Sequence, residues 1–115
     1  MAIIFHIFYK GKDNAARDFA AEMTERGLVN QIRYRPGNLS YHYFQSMEDP
    51  KTILLVDSWS DQEALDLHHA SPMMQEILAL REKYGLSARA EKLRADEEGV
   101  PEADQVFMSQ EEDAE

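Results

Sequence analysis

The sequence predicts an α+β domain of the ferredoxin-like type, a four-stranded antiparallel sheet with helices on one face in the order β-α-β-β-α-β. Three observations predict it. Four short segments, 3–9, 39–45, 52–59 and 87–94, read as strands. Apolar residues recur at helical spacing between the first and second strands, and again between the third and fourth. Only Met47-Glu-Asp-Pro-Lys51, a hairpin-type loop, separates the second from the third. A chain of 115 residues is one domain by length.

Ile3-Ile-Phe-His-Ile-Phe-Tyr9 is dense in β-branched and aromatic residues. Ile3, Phe5, Ile7 and Tyr9 share one face, and Ile4, His6 and Phe8 the other. Gly11 to Asn14 is a turn in which Asp13 or Asn14 can cap a helix running through Arg26. Ala16, Phe19, Ala20 and Met23 form its buried stripe, and Gly27 stops it. Leu28, Val29 and Ile32 predict a short second helical piece before Pro36-Gly37, a pair that favours a turn.

The second strand places Leu39, Tyr41 and Tyr43 on one face and Ser40, His42 and Phe44 on the other. Thr52 to Trp59 is the third strand, apolar on both faces. Ser60-x-x-Glu63 reads as a capping box, after which Ala64, Leu65 and His68 share a helical face. Ser71 can cap a further helix with Pro72 at its first position. Met73, Ile77, Leu80 and Tyr84 are its stripe, Gly85 closes it, and Ser87 to Arg94 is a fourth, edge strand.

The formal net charge of −10 is unevenly placed. Residues 1–94 hold all 12 Lys and Arg with 13 Asp and Glu, whereas 95–115 hold 9 acids and no base. The chain divides into a nearly neutral body, 1–94, and an acidic C-terminal extension, 95–115. Nucleic acid is excluded as a partner, because the tail repels phosphate and no basic stripe with interleaved aromatics occurs. No apolar run reaches about 18 residues, which argues against a membrane span. The first residues carry no basic n-region, which argues against a signal peptide. The absence of cysteine excludes thiol chemistry and suits a reducing cytoplasm. Helices on one side cover only one face of a sheet that is apolar on both. The expected partner is therefore a second copy, packed sheet to sheet as a homodimer. Val106, Phe107 and Met108 are expected to dock on the body or on the partner subunit, with Gln110 to Glu115 disordered.

Gly37-Asn-Leu-Ser-Tyr41, Asp49-Pro50, Asp57-x-Trp59, Ala64-Leu65, His68 and Ser71-Pro72 resemble the antibiotic biosynthesis monooxygenase family. Gly27-Leu-Val, Ile32-Arg33, Asp57-Ser-Trp, His68-His-Ala-Ser-Pro-Met-Met74, Leu80-Arg-Glu-Lys-Tyr84 and Gly99-Val-Pro-Glu-x-Asp-x-x-Phe107 resemble, more narrowly, a bacterial subgroup labelled quinol monooxygenases. The resemblance covers roughly residues 3–94. It implies a dimeric α+β barrel and oxidation of a small aromatic molecule, a quinol or polycyclic phenol, by O₂ without metal or flavin. Other branches of the family degrade haem or isomerise a phosphorylated sugar, so the fold does not settle the reaction. The haem branch uses an Asn on the first strand, a Trp near position 68 and a His ten residues later. This chain has no Asn on that strand, His at 68 and Leu78, which disfavours haem degradation. A non-oxidative isomerase of the same fold and a non-catalytic ligand-binding or stress-response dimer stay open as alternatives.

The chemistry expected of such a site is deprotonation of a phenol followed by its reaction with O₂. His68 is the expected base, because an ordinary imidazole titrates near neutrality. Asp57, on an apolar strand face, needs a partner and is expected to pair with His68 or an arginine. Trp59 would form a flat aromatic wall, Tyr41 and Tyr43 would bind a substrate oxygen, and Met74 would give a deformable apolar wall. His6 is a further candidate contact on the first strand. The bland alternative for each is a satisfied core or interface side chain. His69 lies about 100° round the helix from His68, so the pair does not form a metal site, and no metal is expected. Met73 stands where the wider family often has His.

Overall fold

The computed structural model describes residues 1–109. Gln110 to Glu115, for which disorder is expected above, lie outside them. Four strands, β1 (Ile3–Lys10), β2 (Asn38–Gln45), β3 (Thr52–Trp59) and β4 (Ser87–Arg94), form one antiparallel sheet in the order β2-β3-β1-β4. The helices are α1 (Ala15–Glu25), α2 (Leu28–Arg33), α3 (Gln62–His69) and α4 (Met73–Lys83). The fold is the expected α+β, ferredoxin-like one. Phe19, Met23, Ile32, Leu65, Ile77 and Leu80 of the helices pack on Tyr9, Tyr41, Ile53, Leu55 and Trp59 of the sheet. The period of two puts those strand residues on one face, called here the inner face.

Register fixes what meets what. On the inner face Asp57 stands between Tyr41 of β2 and Phe5 of β1. Trp59 pairs with Ile3, and Tyr9 with Ile53. On the outer face His42, Val56, His6 and Glu91 form one row across the sheet, and Phe44, Leu54, Phe8 and Arg89 the next.

Four local expectations are corrected. Leu39 does not join Tyr41 on the inner face. A bulge between Asn38 and Ser40 drops it from the ladder, and it is exposed. The Asn38 side-chain amide spans the irregularity, donating to Ser40 O and Ser58 O. The α3 cap is Asp61, whose carboxylate accepts from Ala64 N at 2.8 Å, and not Ser60. A capping box needs a free amide at its first residue, but Ser60 N is already bonded to Gly37 O at 2.8 Å. Ser71 is a stop rather than a start: its hydroxyl donates to His68 O and closes α3. The helix α1 carries no side-chain cap bond from Asn14.

Gly37 sets the place of α3. Its φ is +87°, and a Cβ there would lie 2.4 Å from Ala64 Cβ and 2.9 Å from Ser60 Oγ. The turn before β2 thus packs directly on the first turn of the helix that carries His68. Gly85 also has positive φ, +62°, with open space around it; there the bonds Gly85 N to Glu82 O and Leu86 N to Arg81 O end α4. Gly85→Ala should therefore cost about 1–2 kcal/mol, the conformational term alone. Gly37→Ala should cost about 3 kcal/mol or more, because overpacking adds to it. Urea unfolding of both variants checks this, and equal losses would contradict the packing role of Gly37.

Candidate functional site

The candidate site lies between the inner face and α3–α4. Its centre is Trp59, which has no exposed surface. The indole Nε1 donates to Asp57 Oδ1 at 2.8 Å, two residues back on the same strand face. The His68 ring stacks on the indole, centroids 4.9 Å apart and planes 23° apart. Trp59 therefore joins the end of β3 to α3.

Asp57 is 5 % exposed. The Trp59 bond is the one side-chain hydrogen bond it receives among the described residues, and no cation pairs with it. Burial disfavours the carboxylate more than the indole favours it, so the Asp57 pKa is pushed up to about 7. His68, 3 % exposed, moves the opposite way. Burial first, then the positive charge of Arg35 and the neighbouring His69, hold its pKa down at about 4. At neutral pH the imidazole is uncharged, and its Nδ1 is buried with no hydrogen-bond partner. The expected Asp57–His68 pair is absent: tryptophan stands between them, as a hydrogen bond to one and a stack to the other. No Arg takes its place.

Phenols fill the rest of the inner face. Tyr41 and Tyr43 hydroxyls are 3.1 Å apart, with rings edge to face at 5.6 Å. Arg33 holds the strand in place, donating from Nε and Nη2 to Tyr41 O. Burial raises the pKa of Tyr9, Tyr41 and Tyr43, and the charge of Asp57 adds to each rise. Arg81 opposes it at Tyr9 and Tyr43. Its Nη2 donates to Tyr9 OH at 2.6 Å, and its buried Nε has no partner. Three phenols, one carboxyl and one guanidinium thus share a single low-dielectric volume.

Of the residues singled out in the sequence, His68, Asp57, Trp59, Tyr41 and Tyr43 come together here. Met74 is half-buried against the same core, beside Met73. His6 does not join them. It lies on the outer face, its Nδ1 3.9 Å from Glu91, because β1 alternates and the helices cover the face of Ile3, Phe5, Ile7 and Tyr9. His69 is exposed on α3, its ring 5.8 Å from that of His68. Tyr9 and Arg81 were not anticipated. Their signal was the inner-face alternation of β1 for the one, and the place beside Ile77 and Leu80 on α4 for the other. Among the described residues no group of three or more His, Asp or Glu could hold a metal, and no helix is long and apolar enough to cross a membrane. A surface depression of about 630 Å³, lined by Asn30, Gln31, Tyr34, Arg35, Pro36 and Met73, lies on the α2 side. It shares Arg35 and Met73 with the rim of the buried cluster.

The model of the antibiotic biosynthesis monooxygenase family matches residues 2–80. The chain belongs to that family. It is 26 % identical over 94 residues to "Putative monooxygenase YcnE" of Bacillus subtilis (strain 168), covering 82 % of this chain and 96 % of that relative. A Deinococcus radiodurans "putative antibiotic biosynthesis monooxygenase" superposes with a TM-score of 0.72 at 17 % identity, over 83 % of this chain and 93 % of that one. SnoaB, a cofactor-independent oxygenase from Streptomyces nogalater, superposes with a TM-score of 0.69 at 11 % identity, over 84 % and 94 %. At such identities the two structures show a shared fold.

The opposed shifts of Asp57 and His68 have a signature in stability. Asp57, raised in the fold from 3.8 to about 7, contributes stability that is present below pH 3.8 and lost as pH rises through 7. His68, lowered from 6.5 to about 4, contributes stability that is present above pH 6.5 and lost as pH falls through 4. Between pH 4.5 and 6.5 each slope is about 1.4 kcal/mol per pH unit, with opposite sign. Glu22, pulled down to about 2 by Lys83, Tyr84 and Arg26, acts below that window. His69, lowered from 6.5 by burial, adds a slope of the same sign as His68, so urea unfolding of the wild type should vary less across the window than that of either variant. Asp57→Asn should lose about 2–3 kcal/mol on acidification from pH 6.5 to 4.5, and His68→Gln should gain about as much. Parallel profiles for all three proteins would contradict the assigned environments.

Proposed function

We propose that this protein is a cofactor-independent monooxygenase that oxidises a quinol-like or polycyclic phenol with O₂ between the inner sheet face and α3–α4. The observation that carries the reading is Asp57, a buried carboxyl without a cation whose pKa of about 7 suits a general base at neutral pH. The membership of the family and the cofactor-independent oxygenase activity named for SnoaB support it. Asp57 takes the phenolic proton, a task that falls to it rather than to His68, whose pKa of about 4 leaves it a weak base. His68 offers its unpartnered Nδ1 to a substrate hydroxyl or carbonyl and, with Trp59, forms a flat wall for an aromatic ring. Arg81 Nε supplies positive charge to the phenolate, and the Tyr41–Tyr43 pair hydrogen-bonds to oxygen as charge develops. For a simple hydroquinone the sum is hydroquinone plus O₂ giving a hydroxylated quinone plus water. The substrate supplies all four electrons, so no external reductant enters. Met73 and Met74, unbranched and half-buried, yield to admit the ring from the depression beside Arg35.

The working unit in this proposal is a cytoplasmic homodimer with the outer sheet faces together. The single chain leaves Phe44 and Leu93 of that face exposed and Ile4, Phe8, Leu54 and Val56 partly so, an apolar surface that a second copy covers.

Oxygen-electrode assays with a panel of hydroquinones test the reaction. Uptake should rise with pH through about 7 as Asp57 ionises. Asp57→Asn should lower kcat by about a hundredfold or more, within the usual range for loss of a general base, and remove that pH limb. His68→Ala should raise KM and lower kcat less. Full activity in Asp57→Asn would exclude it as the base. Substrate turnover without oxygen uptake would favour an isomerase of the same fold.

A further inference from the structure

We propose that the C-terminal segment of each chain reaches across the dimer and docks on the partner's outer sheet face. Val106, Phe107 and Met108 would there cover the patch of Phe8, Phe44 and Leu54. The inference rests on the face-to-face dimer above and divides the covered surface, the partner's sheet taking the Ile4, Val56 and Leu93 part and its C-terminal segment the Phe8, Phe44 and Leu54 row.

The segment has local structure without a surface of its own to rest on. Ala95 N bonds to Ala2 O and prolongs the β4 pairing; Gly99 N to Asp96 O then turns the chain. A 3₁₀ helix, Glu102–Phe107, follows, with Asp104 N bonded to Pro101 O and Met108 N to Gln105 O. No residue from 101 to 109 is buried. Val106 is 76 % exposed, Phe107 79 % and Met108 59 %. Three adjacent large apolar side chains, presented by a formed turn to water, mark a contact surface. The radius of gyration, 15.9 Å, exceeds the roughly 13 Å of a compact chain of this size, as an arm standing off the body requires.

The target is complementary. Phe8, Phe44 and Leu54 line a mostly apolar depression of about 250 Å³ together with Gln45, Ser46 and Thr52. Lys10 and Arg89 border it, the latter guanidinium lying 4.2 Å over the Phe8 ring. Each already has an acidic neighbour, Lys10 with Asp49 and Arg89 with Glu91. Segment 95–109 brings five acids, Asp96, Glu97, Glu98, Glu102 and Asp104, and no base. Those pairs leave the rim close to neutral, so the match is between apolar surfaces, with the acids of the segment turned to water. The strand geometry also favours the partner. The arm leaves β4 at Arg94, beside Ile3, whereas the patch lies at the Phe8–Arg89 row, about 17 Å further along the strands. Two sheets related by a two-fold axis running across the strands bring the exit of one chain over the far end of the other.

Site-specific photo-crosslinking tests this. Phe107 is replaced by p-benzoylphenylalanine in the full chain, and isotopically heavy and light chains are mixed so that cross-links between subunits are recognised by mass. Light scattering is recorded on the same sample. The proposal expects a dimer in solution and a covalent heavy–light dimer whose link maps to residues 44–54 or to Phe8. A dimer with links only within one chain, elsewhere on the partner, or none at all overturns the docking but leaves the face-to-face dimer standing. A monomer by light scattering overturns both. Phe107→Asp should in addition weaken the dimer at least tenfold, and an unchanged dissociation constant also overturns the docking.

Discussion

The structure turns on the hydrogen bond between the Trp59 indole and the Asp57 carboxyl, two residues apart on one face of β3. A carboxylate there has no counter-ion, and an ion so placed is costly enough that the group keeps its proton into the neutral range. One N–H donor moderates that cost without removing it. The same indole, on its flat side, carries the His68 ring, so a single residue touches both titratable groups. It also fastens α3 to the sheet. Gly37 and the Asp61 cap bring α3 into register with this stack from its other end.

The two faces of the sheet divide the work. The inner face gathers Tyr9, Tyr41, Tyr43 and Asp57 under the helices with Arg81. In that setting a proton can move and a charge can be stabilised with little water present. The outer face carries Phe8, Phe44, Leu54 and Val56 with His6 and His42, and is suited to association. Period-two alternation thus separates the residues of the proposed chemistry from those of the proposed dimer contact. At neighbouring positions of β3, Val56 faces the outer surface and Asp57 the buried cluster under the helices.

Much of this was legible in the sequence. Alternation in 3–9 and 52–59 and the stripes Ala16–Met23 and Met73–Tyr84 specify strands, helices and the two faces, because each repeats a pattern several times over. The grouping of His68, Asp57, Trp59, Tyr41 and Tyr43 followed from those faces together with the family resemblance. Features decided by a single bond were not legible. Ser60 and Asp61 are both good caps, and what selects Asp61 is the distant carbonyl of Gly37 engaging the Ser60 amide. Leu39 fits an alternating pattern, and only a bulge removes it. The partner of Asp57 was sought at His68 or an arginine because charge seeks charge; an indole N–H on the same strand carries no such sequence signal. Arg81 meets Tyr9 across 72 positions of the chain, a contact that helical spacing alone does not specify.

The account depends most directly on the proton carried by Asp57. Its side-chain carboxyl ¹³C resonance, followed by NMR across pH 3–9 and assigned through Asp57→Asn, reports that proton without reference to substrate. A midpoint near 7, moving further up in Trp59→Phe as the indole donor is lost, is the result the account predicts. A midpoint near 4, unmoved by Trp59→Phe, would contradict it.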